Sequence, residues 1–140
     1  MNKLKDKVAI VTGGSKGIGA GIARHLAADG AKVIVNYASS RSDADKVVAD
    51  IEAAGGKAMA VAADITCQTE VEALINAAVS HYGRLDIVVN NAGVYAFARI
   101  EESTETLFRR QFDINVLGPL LVAGAAAPHL TKGSSIINIS

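Results

Sequence analysis

The residues able to do chemistry fall in a few short segments. The first is Thr12-Gly13-Gly14-Ser15-Lys16-Gly17-Ile18-Gly19. Glycines spaced G-x-x-x-G-x-G ahead of a helical pattern suit a diphosphate. Free backbone N–H groups face such a ligand, and the positive end of the helix dipole favours its charge. Gly13 would permit the tight turn, Gly17 would let the backbone approach the phosphates, and Gly19 would let the helix pack closely on the sheet. The alternative reading is a glycine-rich turn with no ligand. The second segment is Asn36-Tyr37-Ala38-Ser39-Ser40-Arg41, and the others are Asp64-Ile65, Asn90-Asn91-Ala92-Gly93 and the neighbourhood of Asn115.

These segments need a scaffold, and the apolar pattern supplies one. Lys7–Thr12, Lys32–Tyr37, Lys57–Val61, Asp86–Asn90 and Ser135–Ser140 read as strands, mostly near-continuous Val/Ile runs. Ile18, Ile22 and Leu26 lie at helical spacing, as do Ala44, Val47, Val48 and Ile51, and Val71, Leu74, Ile75, Ala78 and Tyr82. Asp29-Gly30, Gly55-Gly56 and Gly83 close these helices. A longer helix is expected from Ser103-Thr104 towards His129, with Pro119 bending it or lying in an exposed turn. Strands alternating with helices imply a parallel sheet with right-handed crossovers and helices on both faces. The expected fold is therefore α/β, a Rossmann-type doubly wound sheet with the glycine turn at its nucleotide-binding edge.

The end of the second strand bears on which nucleotide would fit. Dinucleotide folds usually place an acidic residue there, on the ribose 2′-OH. This strand ends without Asp or Glu, which leaves room for a 2′-phosphate. Ser39 and Ser40 can donate hydrogen bonds to it, and Lys16 or Arg41 can supply the counter-charge. NADP is expected over NAD.

The spacing of the glycines resembles the first motif, T-G-x-x-x-G-x-G, of the short-chain dehydrogenase/reductase family. Asp64 after the third strand, Asn90-Asn91-Ala92-Gly93 after the fourth, and Asn115 in Ile114-Asn115-Val116-Leu117-Gly118 follow in the family's order. The resemblance runs from about Lys5 to Ser140 and is strongest to NADP-dependent bacterial reductases of the 3-oxoacyl-thioester, naphthol or sugar type. It implies hydride transfer between NADP(H) and a carbonyl or secondary alcohol. It also implies cofactor contacts at Gly13, Ser15, Lys16, Gly17, Ile18, Gly19, Tyr37, Ala38, Ser39, Ser40, Asp64, Ile65, Asn91, Ala92, Gly93 and Ser140. Asp64 would hydrogen-bond the adenine, and Asn115 would be the active-site Asn, holding a backbone kink and a water. The family's proton-transferring Tyr has a Lys four residues on. Tyr37, Tyr82 and Tyr95 do not, and by the family's register Ser140 stands one residue before the reactive Ser. The expectation is one dinucleotide-binding domain over residues 1–140, five of seven strands, broken off before the catalytic helix and inactive by itself. The alternatives are a non-catalytic dinucleotide-binding fragment or pseudo-enzyme, and a methyltransferase using S-adenosylmethionine. The Asn90-to-Gly93 motif with Asn115 argues against the last.

Composition narrows the classes further. Lys+Arg and Asp+Glu are both 14 in 140 residues, so no basic surplus points to nucleic acid or an anionic membrane. The single Cys67 excludes a disulfide framework and suits a reducing, cytoplasmic setting. No apolar run reaches the roughly 20 residues of a membrane helix. His25, His81, His129 and Cys67 have no metal-ligand spacing, so no metal is expected. The partners expected are a small carbonyl or alcohol substrate and, from the resemblance, further copies of the chain. Those copies would meet through the helix spanning Leu107–Leu130, whose Leu120–Ala127 run is apolar nearly all round. By itself the chain should expose that helix and its last strand edge.

Overall fold

The computed structural model describes residues 2–140. Five strands, β1 (Val8–Val11), β2 (Lys32–Tyr37), β3 (Lys57–Ala62), β4 (Ile87–Asn90) and β5 (Ser135–Asn138), form one sheet of order β3-β2-β1-β4-β5. Every neighbouring pair is parallel. The order reverses between β1 and β4. Such a switch opens a crevice at the carboxyl ends of the strands, where α/β sheets bind ligands.

The strand side chains alternate between two faces, as a pleated strand requires. Ala9, Val11, Val33, Val35 and Val89 pack under α1 (Gly17–Ala28) and α2 (Arg41–Ala53), against Ala20, Ala23, Ala27, Val47 and Ile51. Val8, Ile10, Ile34 and Val88 pack on the other face against α3 (Gln68–Tyr82) and α5 (Gly118–Ala126), through Val71, Leu74, Ile75, Val122 and Ala126. Small alanines on α1 let that helix lie close to the sheet, which suits a chain with no tryptophan and only 4% aromatic residues. Gly83 closes α3 in the left-handed conformation at φ +82°.

The expectation of one long helix from Ser103-Thr104 to His129 needs correction. The segment is α4 (Glu105–Phe112), a π turn (Asp113–Leu117), α5, and a 3₁₀ turn at Ala127–His129. Thr104 caps α4, its Oγ1 accepting from the Leu107 N–H at 3.2 Å. Pro119 does not break the helix where it stands, because it occupies the first turn of α5. Its ring would clash with the carbonyl four residues back in a regular helix, and the widened turn N-terminal to it is where the ladder yields. Two strands, the central β1 and the edge β5, also stop earlier than expected: β1 ends at Val11, not Thr12, and β5 at Asn138, not Ser140.

Candidate functional site

The glycine turn between β1 and α1 is held from two directions. Thr12 is fully buried, and its Oγ1 accepts from the Asn91 N–H (3.1 Å) and the Ala92 N–H (3.0 Å). The Asn91 amide donates back to the carbonyls of Thr12 (3.2 Å) and Gly13 (3.1 Å). From the side of β2, Asn36 Oδ1 accepts from the Gly13 N–H at 3.2 Å and the Asn36 carbonyl from the Gly14 N–H at 2.8 Å. The turn is therefore tied to the ends of β2 and β4 before any ligand arrives.

The glycines carry different parts of this arrangement. Gly13 has φ +60°, and a Cβ there would stand 2.9 Å from Ala92 Cα. Gly17 has φ +58° with open space where a Cβ would be, so its backbone can be approached closely. Gly19 packs differently from the expectation. A Cβ there would strike the Gly13 carbonyl oxygen and the Asn91 side chain, so this glycine seats α1 on the turn itself rather than on the sheet.

A cleft of about 530 Å³ opens over the carboxyl ends of β1, β2, β3 and β4. It brings together most of the residues expected to contact a cofactor: Gly13, Ser15, Lys16, Tyr37, Ala38, Ser39, Ser40, Asp64, Ile65, Asn91, Ala92 and Gly93. Ser15 is buried on its floor. Lys16 reaches across from the turn, its Nζ donating to Ser40 Oγ at 3.3 Å, so the cation and the hydroxyl proposed for a 2′-phosphate are in contact. Arg41 instead turns along its own helix to Asp45, at 3.7 Å. Asp64 Oδ1 accepts from the Thr66 N–H (2.9 Å) and hydroxyl (2.7 Å), which shapes the loop entering α3.

Four expected cofactor residues do not line this cleft: Gly17, Ile18, Gly19 and Ser140. Ile18 is exposed on the first turn of α1, and Ser140 is an exposed residue beyond β5. Asn115 stands beside the cleft on the π turn. Its Nδ2 donates to the Val94 carbonyl at 2.6 Å, and its Oδ1 accepts from the Val94 N–H at 2.8 Å. This pair fixes the backbone just after Gly93. Sequence reasoning missed Asn36, Ala63, Val94, Arg110 and Ile114, which also line the cleft. Arg109 is engaged by Glu105 at 2.9 Å, whereas the adjacent Arg110 stands over the cleft with Ile114. No glycine or strand pattern in the sequence pointed to this choice, which depends on how α4 lies over the strand ends.

A parallel α/β sheet with a switch point, a glycine turn at a helix start and a cleft across the strand ends defines a Rossmann-like α/β fold. The family model for the short chain dehydrogenases matches residues 7–140, and the chain belongs to that family of oxidoreductases. It is 61% identical over 140 residues to an uncharacterized oxidoreductase of Methylorubrum extorquens, covering 100% of this chain and 56% of that protein. It is 46% identical over 137 residues to a hydroxynaphthalene reductase of Aspergillus fumigatus, covering 98% and 50%. A short chain dehydrogenase from Burkholderia cenocepacia, solved in complex with NADP, superposes with a TM-score of 0.94 at 41% identity, over 98% of this chain and 56% of that one. The chain thus spans about half the length of the curated relatives it matches. No helix among the described residues is long and apolar enough to cross a membrane.

Proposed function

We propose that this chain forms the nucleotide-binding portion of an NADP(H)-dependent short-chain reductase, acting on a carbonyl or secondary alcohol. The observation that carries the reading is the Lys16–Ser40 contact, at the end of a second strand that offers no carboxylate. A carboxylate there would repel a 2′-phosphate, whereas an ammonium beside a hydroxyl attracts one. The NADP held by the Burkholderia relative supports the same choice.

The residues fit the cofactor. The open backbone at Gly17 and the start of α1 suit the diphosphate. Lys16, Ser39 and Ser40 suit the 2′-phosphate, and Asp64 and Ile65 the adenine, with Arg110 on the facing helix. The nicotinamide, when bound, supplies hydride chemistry; the protein binds, orients and excludes water. Asn115 fixes the Val94 backbone at the edge of the site, so it acts here through position. The apolar stripe Phe108, Phe112, Val116 and Leu120 along the α4–α5 segment is exposed and supports self-association through this face. Sedimentation of the chain tests that association, and a monomer with this stripe exposed overturns it.

A cofactor titration tests the reading. Saturable NADPH fluorescence enhancement is expected. Lys16→Ala should weaken NADPH binding by on the order of 1–3 kcal/mol while leaving NADH nearly untouched. Equal losses for both cofactors overturn the phosphate contact, and binding of S-adenosylmethionine instead of NADPH overturns the reductase reading.

A further inference from the structure

Asn36 is 2% exposed, yet every polar atom of its side chain is used, and its partners lie on both sides of the cleft. Its Oδ1 accepts from the Gly13 N–H at 3.2 Å, on the phosphate side. Its Nδ2 donates to the carbonyls of Val61 and Ala63, each at 3.2 Å, on the side that leads into Asp64 and Ile65. The β3 end has one further tie to β2 here, the Ala63 N–H donating to the Tyr37 carbonyl at 3.0 Å. We propose that Asn36 is a positioning residue, the spacer that sets the distance between the phosphate wall and the adenine wall of the cofactor cleft.

The chemistry of the position singles out an amide. Gly13 needs an acceptor, and the two carbonyls need donors, from one short side chain that is itself almost fully buried. An aspartate keeps the acceptor but sets a charged oxygen against two carbonyl oxygens. A glutamine is one methylene too long for a packed interior. An alanine leaves a donor and two acceptors to find other partners. Asn36 consumes the Gly13 N–H, so that amide serves the turn and not the ligand. Diphosphate binding then falls to amides further along the turn. The role also differs from that of Lys16. Lys16 bears on the 2′-phosphate alone, whereas a spacer acts on the whole dinucleotide.

This inference rests on the cofactor reading for its effect on binding, but its structural half is measurable without ligand. In the ligand-free protein, Asn36→Ala should speed amide exchange at Gly13, which loses its acceptor, and at Ala63, whose N–H bond to the Tyr37 carbonyl opens more readily once its own carbonyl loses the Asn36 donor, with exchange in the β1 core unchanged. Asn36→Asp keeps the acceptor, so it should free the Ala63 side while Gly13 remains protected. In titrations of folded protein, Asn36→Ala should raise the Kd for NADPH and for NADH by the same factor, about tenfold. A residue that only contributed stability would lower the melting temperature and leave the Kd of the folded fraction unchanged. The proposal is overturned if exchange at Gly13 and Ala63 is unaltered, or if the walls loosen and both Kd values stay at the wild-type level. It is also overturned if only the NADPH value moves. Wild-type protein that binds neither dinucleotide overturns the functional reading and the cofactor role of Asn36 with it; the exchange measurements then still decide whether Asn36 holds the two walls.

Discussion

The two halves of the molecule are built on different principles. From β1 to α3 the apolar side chains are covered on both faces of the sheet, and the turns at the cleft are cross-tied by Thr12, Asn36 and Asn91. From the loop after Gly93 to β5, large apolar groups face outwards: Tyr95, Phe97, Ile100, Phe108, Phe112 and Leu120, with Ile136 and Ile137 on β5. In this half the inner side of α5 is packed in the core, with Val122 and Ala126 fully buried and Leu121, Ala125 and Leu130 packed partly against it. The first half has its geometry fixed by contacts within this chain. The second presents surface that such contacts do not use. The proposed cofactor cleft is thus cross-tied at the glycine turn by Thr12, Asn36 and Asn91, while towards Val94 it is held by the Asn115 clamp.

Substitutions should expose this asymmetry. The largest effect is expected at Gly19, where any Cβ meets the Gly13 carbonyl and the Asn91 amide. Gly19→Ala should cost about 3 kcal/mol in urea unfolding, because backbone and not a flexible side-chain end must give way. Next is Thr12→Val, which keeps the shape but strips the acceptor from the Asn91 and Ala92 N–H groups; about 2 kcal/mol is expected by the same measurement. A loss below about 0.5 kcal/mol for either would mean the turn is not held from within.

A third probe lies at the seam of β1 and β4. Asp86 is buried, and burial by itself would raise its pKa. The hydrogen bonds from Arg84 (2.7 and 2.8 Å) and from the Val8 N–H (2.9 Å), with the charges of Arg84 and Lys7, outweigh it and hold the carboxyl below its ordinary value of 3.8. A carboxyl with a lowered folded-state pKa stabilises the fold above its ordinary value. That contribution is lost as the pH falls through the folded value. Acid titration followed by circular dichroism should show this dependence below pH 3.8, and Asp86→Asn should remove it. An unchanged acid profile in the variant would assign the acid sensitivity elsewhere.

The smallest effect belongs to the outward half. Leu120 is 67% exposed within one copy, and at dilutions where the chain is monomeric Leu120→Ala should change unfolding free energy by no more than about 0.5 kcal/mol. A loss near the 2–5 kcal/mol typical of a buried leucine would show that this face is covered in solution.

Much of this was legible from residue order. The Val/Ile runs, the helical spacing of Val71, Leu74, Ile75 and Ala78, and the glycine at position 83 each pointed to the element found there. Hydrophobic period and glycine conformation are local properties, so they survive reading one segment at a time. The π turn was not legible. Pro119 announced a break, but the widened turn lies before it, in residues with ordinary helical preferences. Asn36 was visible only as part of a strand end without a carboxylate. Its partners at Gly13, Val61 and Ala63 come from other elements, and no local pattern names them.

The amino-acid order alone determined an alternating α/β pattern, a glycine turn between the first strand and the first helix, and a second strand ending without negative charge, because each depends on neighbours in the chain. Only the tertiary structure decided that Lys16 meets Ser40, that Arg110 overlooks the cleft while Arg109 does not, and that one buried amide ties two walls together. Those are distances between segments far apart in sequence, set by how helices pack on a twisted sheet.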